Sequence, residues 1–255
     1  MTWKIISSSV TGKSHIDRNE KGQDYCRAGV IQISDKEFFI GLVADGAGST
    51  TDGGLGAKIA CEITYSSILS TIGQVIDPSL ITEKDIKNWI ISSRESIDRH
   101  AKKNGKHLKD YACTLNGSVI GSNYSIYFQI GDGGIVINSG HEYQPIFWPE
   151  QGEYINTTYF ISDESFLEHL NIKQMDCSPN EIALFTDGLQ NLVLSYSQKT
   201  AHNGFFSPLF EYLRKNPCNE FVDLSTPLHT FLNRTEINDR SDDDKTLILA
   251  LRSTI

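Results

Sequence analysis

Apolar residues along the chain fall into short clusters that end in glycine, asparagine, aspartate or serine. Clusters rich in β-branched and aromatic residues predict strands over Lys4–Val10, Tyr25–Ile33, Glu37–Ala44, Tyr111–Ile120, Tyr124–Ile130, Gly134–Asn138, Glu181–Thr186 and Thr246–Arg252. Between the third and fourth of these the period lengthens. Ala57, Ala60, Cys61, Thr64, Ile68 and Ile72 make one stripe of a helix over about Gly54–Ile72. Ser49, Thr50, Thr51 and Asp52 before it are all N-cap types. A second helix, Thr82 to about Lys103, opens with Thr82 and Asp85 at the spacing of a capping box. Two further helices, about Phe205–Lys215 and Glu220–Arg234, precede the last strand. Blocks of strands alternating with pairs of helices favour α+β layers over a doubly wound parallel sheet. No repeat, low-complexity tract or linker divides the sequence, so a single domain is expected over residues 1–255. The unpatterned, proline-containing segment 140–180 reads as an insertion or flap.

Composition narrows the setting. Hydrophobic residues make up 39% of the 255 positions, enough for a packed core but nowhere continuous enough for a membrane span. The opening MTWKIISSSV lacks the basic and long apolar regions of a signal peptide, so a cytoplasmic protein with no membrane partner is expected. Five scattered cysteines without a C-x-x-C pair argue against structural disulfides and a thiolate zinc site. A formal net charge of -9 disfavours nucleic acid as a partner.

Three apolar clusters stop at Asp-Gly: Asp45-Gly46 in GLVADGAGS, Asp132-Gly133 in IGDGG and Asp187-Gly188 in FTDGLQ. Asp-Gly often closes hairpins, and strand-like residues on both sides of Asp132 suit that reading. Asp45 leads instead into a helix, and Asp187 into LQNLVLS, which resumes no alternation. A carboxylate at the end of a buried strand is costly unless a cation or hydrogen-bond donor meets it. Asp24, and the run Asp242, Asp243 and Asp244, also stand immediately before strands, although three consecutive acids equally suit a solvated loop. If these strand ends share one rim, Asp24, Asp45, Asp187 and Asp243 form an all-oxygen cluster suited to Mg2+ or Mn2+.

The ordered motifs QD, VADGAG, TL, IGDG, FTDG and DDKT, within Gly12–Leu251, together resemble the metal-dependent serine/threonine protein phosphatases of the type 2C family. They are most similar to bacterial members with a G-x-S-H...QD opening. The resemblance implies a four-layer α-β-β-α sandwich, two antiparallel sheets flanked by helices, with metals at one end. It also implies two Mg2+ or Mn2+ ions with a weaker third, a phosphorylated protein substrate, and a cognate Ser/Thr kinase as partner. By the same resemblance Asp45 bridges two metals, and the Gly46 carbonyl binds one of them. Asp187 and Asp243 are terminal ligands of the first metal, Asp24 a ligand of the second, and Asp132 holds the third with Asp187. In-line attack by a metal-bridging hydroxide, with Asp45 and Asp187 holding the bridge, then hydrolyses phosphoserine or phosphothreonine without a phosphoenzyme. An aspartyl nucleophile would need D-x-D, and a cysteine nucleophile C-x5-R; neither occurs in the relevant places.

Three positions depart from the family pattern. Gln23 stands where many members have a metal-binding Glu, and Ala47 where animal members carry a His proposed as general acid. His15 stands where bacterial members have a phosphate-binding Arg, with Arg18 near enough to replace it. These departures motivate the alternative of a catalytically silent module that binds a phosphoprotein or kinase, against which the retained acids argue. Ser49 and Thr50 read as caps of the following helix, and Thr114 as support for Asp132 or the neighbouring strand.

Overall fold

The computed structural model describes residues 2–33, 36–74, 78–138, 140, 142–149, 158–216 and 224–253. The first half runs β1 (Thr2–Val10), α1 (Lys13–Asp17), β2 (Tyr25–Ile33), β3 (Lys36–Ala44), α2 (Gly53–Gln74), α3 (Glu83–Lys103), β4 (Leu115–Ile120) and β5 (Ser125–Ile130). There follow β6 (Gly134–Asn138), β7 (Tyr143–Pro145), β8 (Asn171–Met175), β9 (Glu181–Phe185), α4 (Gln190–Val193), β10 (Leu194–Ser195) and β11 (Thr200–Ala201). The chain closes with α5 (Asn203–Lys215), α6 (Ser225–Leu232), α7 (Thr235–Asn238) and β12 (Lys245–Ser253).

Two five-stranded antiparallel sheets result, in the orders β1-β12-β9-β6-β7 and β2-β3-β4-β5-β8; β10 and β11 form a small hairpin of their own. Period-two alternation explains the layers, because it gives each strand two apolar faces. Phe39 and Val43 of β3 meet Ile182 and Leu184 of β9 and Ile248 and Ala250 of β12 between the sheets. The alternate residues Phe38, Ile40 and Leu42 pack outward on Ala57, Ala60 and Ile68 of α2 and Trp89 and Ile90 of α3. On the other side Ala183, Phe185, Leu247 and Leu249 meet Phe206 and Phe210 of α5 and Leu228 and Leu232 of α6. The order of layers is therefore helix, sheet, sheet, helix.

Local signals explain where elements begin. The Thr82 hydroxyl accepts the Asp85 N–H at 3.3 Å and the Asp85 carboxylate accepts the Thr82 N–H at 2.8 Å, so the capping box of α3 is complete. The strand expected from Tyr111 starts only at Leu115. Leu108–Tyr111 is a 3-10 turn, closed by Asp110 accepting the His107 N–H at 2.9 Å, and Cys113 leaves the sheet to bridge Gly46. Segment 140–180 contributes the edge strand of each sheet, β7 and β8, while 150–157 lie outside the described residues. In the helix expected over Glu220–Arg234, residues 220–223 also lie outside them, and the remainder divides into α6 and α7.

Candidate active site

Strand register carries the acids to one end of the sandwich. In the first sheet Phe185 faces both Gly134 and Leu247, and Val10 faces Lys245, so the turns holding Asp132, Asp187 and Asp243 are neighbours. In the second sheet Tyr25 faces Ala44, which sets Asp24 beside Asp45. All five carboxylates are half-buried.

Their protonation behaviour reflects this crowding. Burial pushes Asp24 up to about 7, against the opposing pull of the Thr186 and Thr246 hydroxyls, and Asp244 adds to the rise. Burial likewise holds Asp45 well above the usual carboxylate range, with Asp24, Asp187 and Asp243 repelling it further. Asp187 is raised by burial and then by Asp132, Asp243 and Asp24; Asp132 is raised by burial despite its hydrogen bond from Thr158. The acids thus act on one another across turns distant in sequence. Among the described residues no three His, Cys, Asp or Glu side chains close on a single point as ligands of one ion.

The remaining hydrogen-bond capacity suits cations. Thr186 and Thr246 hydroxyls each donate to Asp24 Oδ2 at 2.7 Å, while Oδ1 is buried without a partner. Thr158 donates to Asp132 Oδ2, the Gln190 amide donates to the Asp132 carbonyl, and Asp132 Oδ1 is left without a partner. Asp187 Oδ1 is a third such oxygen. Buried oxygens are rarely left unsatisfied, and carboxylate oxygens of this kind are the ligand type that a hard divalent cation takes.

The Asp45-Gly46 loop is braced from two sides. Thr114 accepts the Asp45 N–H with its hydroxyl at 3.0 Å and donates its own N–H to the Asp45 carbonyl at 2.8 Å, so it supports Asp45 and not Asp132. Gln23, its amide nitrogen turned to face acceptors, donates to the carbonyls of Gly46 and Ala47, both at 3.1 Å. A Cβ on Gly46 would run into the backbone of Gly53 and Gly54, where α2 begins, so glycine is required there by close approach. The Thr50 hydroxyl donates back to the Ala47 carbonyl at 2.8 Å, closing this loop instead of capping α2.

The acidic run before β12 divides its labour. Asp242 is exposed, Asp243 half-buried and Asp244 buried at 2% exposure. Asp244 accepts the Gly12 N–H at 2.6 Å and the Gln23 N–H at 2.5 Å, and the His15 ring approaches it at 3.0 Å. His15 is therefore buried and engaged with Asp244, and Arg18 is exposed and paired with Glu20 at 2.8 Å; neither is presented as a phosphate ligand. Lys245 is wholly buried, its ammonium donating to the Asp243 carbonyl at 2.8 Å. Sequence reasoning missed Asp244, Thr186 and Thr246 as supports. The two threonines stand inside FTDG and DDKT, beside the expected ligands, and that placement was the available signal.

Residues 11–233 match the family model described as protein phosphatase 2C. The chain belongs to the protein phosphatase 2C family. It is 33% identical over 254 residues to serine/threonine-protein phosphatase 3 of Escherichia coli (strain K12), a match covering 98% of this chain and 99% of that one. Among solved structures, the serine/threonine phosphatase Stp1 of Staphylococcus aureus superposes with a TM-score of 0.65 at 15% identity, over 100% of this chain and 96% of that one. The catalytic domain of the phosphatase PstP, solved with two manganese ions, gives a TM-score of 0.62 at 13% identity, covering 98% and 97%. At these identities the structures speak for the fold. Family membership and the curated relative make this chain a metal-dependent serine/threonine phosphatase.

Proposed function

We propose that this phosphatase hydrolyses phosphoserine and phosphothreonine in cytoplasmic proteins by direct transfer of the phosphoryl group to a water-derived hydroxide, opposing a cognate kinase. The observation that carries this reading is the set of buried, unpartnered oxygens on Asp24, Asp132 and Asp187. Asp45 and Asp243 lie close enough to repel this set. Such a rim repels a phosphate dianion until cations neutralise it. When bound, divalent cations would supply that neutralisation and lower the pKa of a water enough to make it a nucleophile at neutral pH.

The chain's own residues then have defined tasks. Asp24, Asp45, Asp187 and Asp243 would hold the principal cations, and Asp132 with Asp187 a third. Thr186 and Thr246 fix the Asp24 carboxylate so that Oδ1 is the oxygen presented. Gln23 ties down the Gly46 carbonyl, which makes Gln23 a brace of the loop where a carboxylate ligand is absent. Cys61 and Cys113 are disfavoured as nucleophiles: both are fully buried, and burial pushes both thiols up, away from the reactive thiolate. At the position of Ala47 no acid is available, so the leaving alkoxide takes its proton from water or from another residue.

The test is hydrolysis of p-nitrophenyl phosphate and a phosphothreonine peptide with and without Mg2+ or Mn2+, in the parent and in Asp45→Asn and Asp187→Asn. Metal-stimulated turnover in the parent and its loss in both folded variants is expected. Equal rates in all three, or no stimulation by metal, would sink the reading and favour a silent binding module.

A further inference from the structure

The end of the first sheet opposite the acids carries a second concentration of charge. Lys4 faces Leu251 across β1 and β12, and Asn138 faces Glu181 across β6 and β9. With Asn180, Arg214 and Arg252 they border a cavity of about 430 Å³. β12 runs from Lys245, beside the acids, to Ser253, on the cavity wall. At about 3.3 Å per residue this separates the two ends by roughly 25 Å.

Among the described residues lining this cavity, three cations face one carboxylate. Glu181 is buried and matched, by the Arg214 guanidinium, the Tyr143 hydroxyl at 2.6 Å and the Asn138 amide at 3.2 Å. Lys4 Nζ donates to two neutral carbonyls, of Leu213 at 3.4 Å and Asn216 at 3.3 Å. Arg252 rests on the carbonyls of Ser122 at 3.1 Å and Gly121 at 3.0 Å, and its Nε is buried without a partner. Burial weakens its hold on the proton, and Glu37, the carboxylate that opposes this, keeps its own Oε2 without a partner. The hydrogen-bond acceptors of both cations are neutral carbonyls, with Glu37 acting on Arg252 from farther off and the Trp3 ring 5.6 Å from its guanidinium. A concave site of this volume with a few convergent polar groups has the proportions of a small-molecule pocket.

We propose that this cavity binds a compact dianion, a phosphate monoester or small dicarboxylate, at a site separate from the acidic end. Lys4 and Arg252 supply the charge that holds it, and the Asn180 side chain orients it. Arginine's forked donors match both anion types, and the low polarity of a half-buried site strengthens the attraction.

The test is amide NMR of the full-length protein loaded with Mg2+, titrated separately with inorganic phosphate, glycerol 3-phosphate and succinate. Saturable shifts at Asn180, Glu181 and Ser253 are expected with at least one probe, and the probe that saturates defines the anion class. Lys4→Met should weaken binding at least tenfold, while Lys87→Met, on α3, should leave it unchanged. Arg252→Lys keeps the charge without the fork and should weaken binding at least fivefold, which serves if Lys4→Met fails to fold. Shifts confined to amides around Asp45 and Asp187, or affinity unchanged in the folded variants, would overturn the proposal.

Discussion

His15 and Asp244 lie 229 residues apart in the chain, yet the Nδ1 of one stands 3.0 Å from the Oδ1 of the other, both side chains buried. With the Gly12 and Gln23 N–H groups on the same carboxylate, this contact fastens the loop carrying Asp24 to the turn carrying Asp243. Asp244 therefore ties together the segments that carry Asp24 and Asp243.

Replacing Asp244 with alanine leaves the buried Gly12 N–H and the part-buried Gln23 N–H unpaired. At about 1–3 kcal/mol for each stranded donor, the variant should lose about 3 kcal/mol of unfolding free energy. Its Mg2+ affinity should also fall, because Asp24 and Asp243 are no longer held together. Urea unfolding and calorimetric Mg2+ titration check both, and an unchanged midpoint would remove Asp244 as an anchor.

Thr186→Val and Thr246→Val each remove one donor from Asp24 Oδ2. Those hydroxyls pull against the burial that raises Asp24, so each variant should raise it further and bind Mg2+ more weakly, by about tenfold or less. The double variant should fall short of the sum of the two, since both act on one oxygen. Calorimetry at fixed pH decides it.

Gln23→Glu separates brace from ligand. A carboxylate there would face the Gly46 and Ala47 carbonyls with no proton to donate, so the metal-free variant should be less stable by about 1–3 kcal/mol. With Mn2+ present the added charge should tighten metal binding. Melting curves with and without metal should therefore lie further apart for the variant than for the parent.

The raised acids set a pH dependence for the metal-free chain. Asp24 has a folded value of about 7 against an ordinary 3.8, so the folded state holds a proton that the unfolded state has released. Its stabilising effect is complete below about 4 and is lost as pH rises through about 7. Metal-free melting temperature should fall across that window, while apparent Mg2+ affinity should rise, because each ligand must shed its proton to bind. A metal-free melting temperature that climbs from pH 5 to pH 7.5 would contradict the buried cluster.

Much of this was readable from residue order. Apolar runs along Glu37–Ala44 and Thr246–Arg252 announced strands, and the Thr82 and Asp85 pair announced the start of α3. Position in the fold was harder to read where one residue answers to a distant one. Nothing local distinguishes Asp243 from Asp244, since their roles depend on which side of the turn faces Gly12 and Gln23. His15 was expected at the phosphate because of its place in a motif, but a buried carboxylate took its ring. Gln23 looked like a lost ligand, and the side chain instead serves two loop carbonyls. Segment 140–180 lacked a readable period because β7 and β8 are short edge strands, each paired on one side only.

The nine-residue pairing of β1 with β12 joins an early stretch of the chain to a late one. During synthesis the first sheet must wait, its β1 and β9 both lacking the strand that lies between them, until the ribosome has released β12. Contacts of such long sequence separation form slowly. Asp243, just before β12, can join Asp24, Asp45, Asp132 and Asp187 only then, so the complete set of acids depends on this long-range pairing. Completion of the acidic set is therefore a late step in the folding of each molecule.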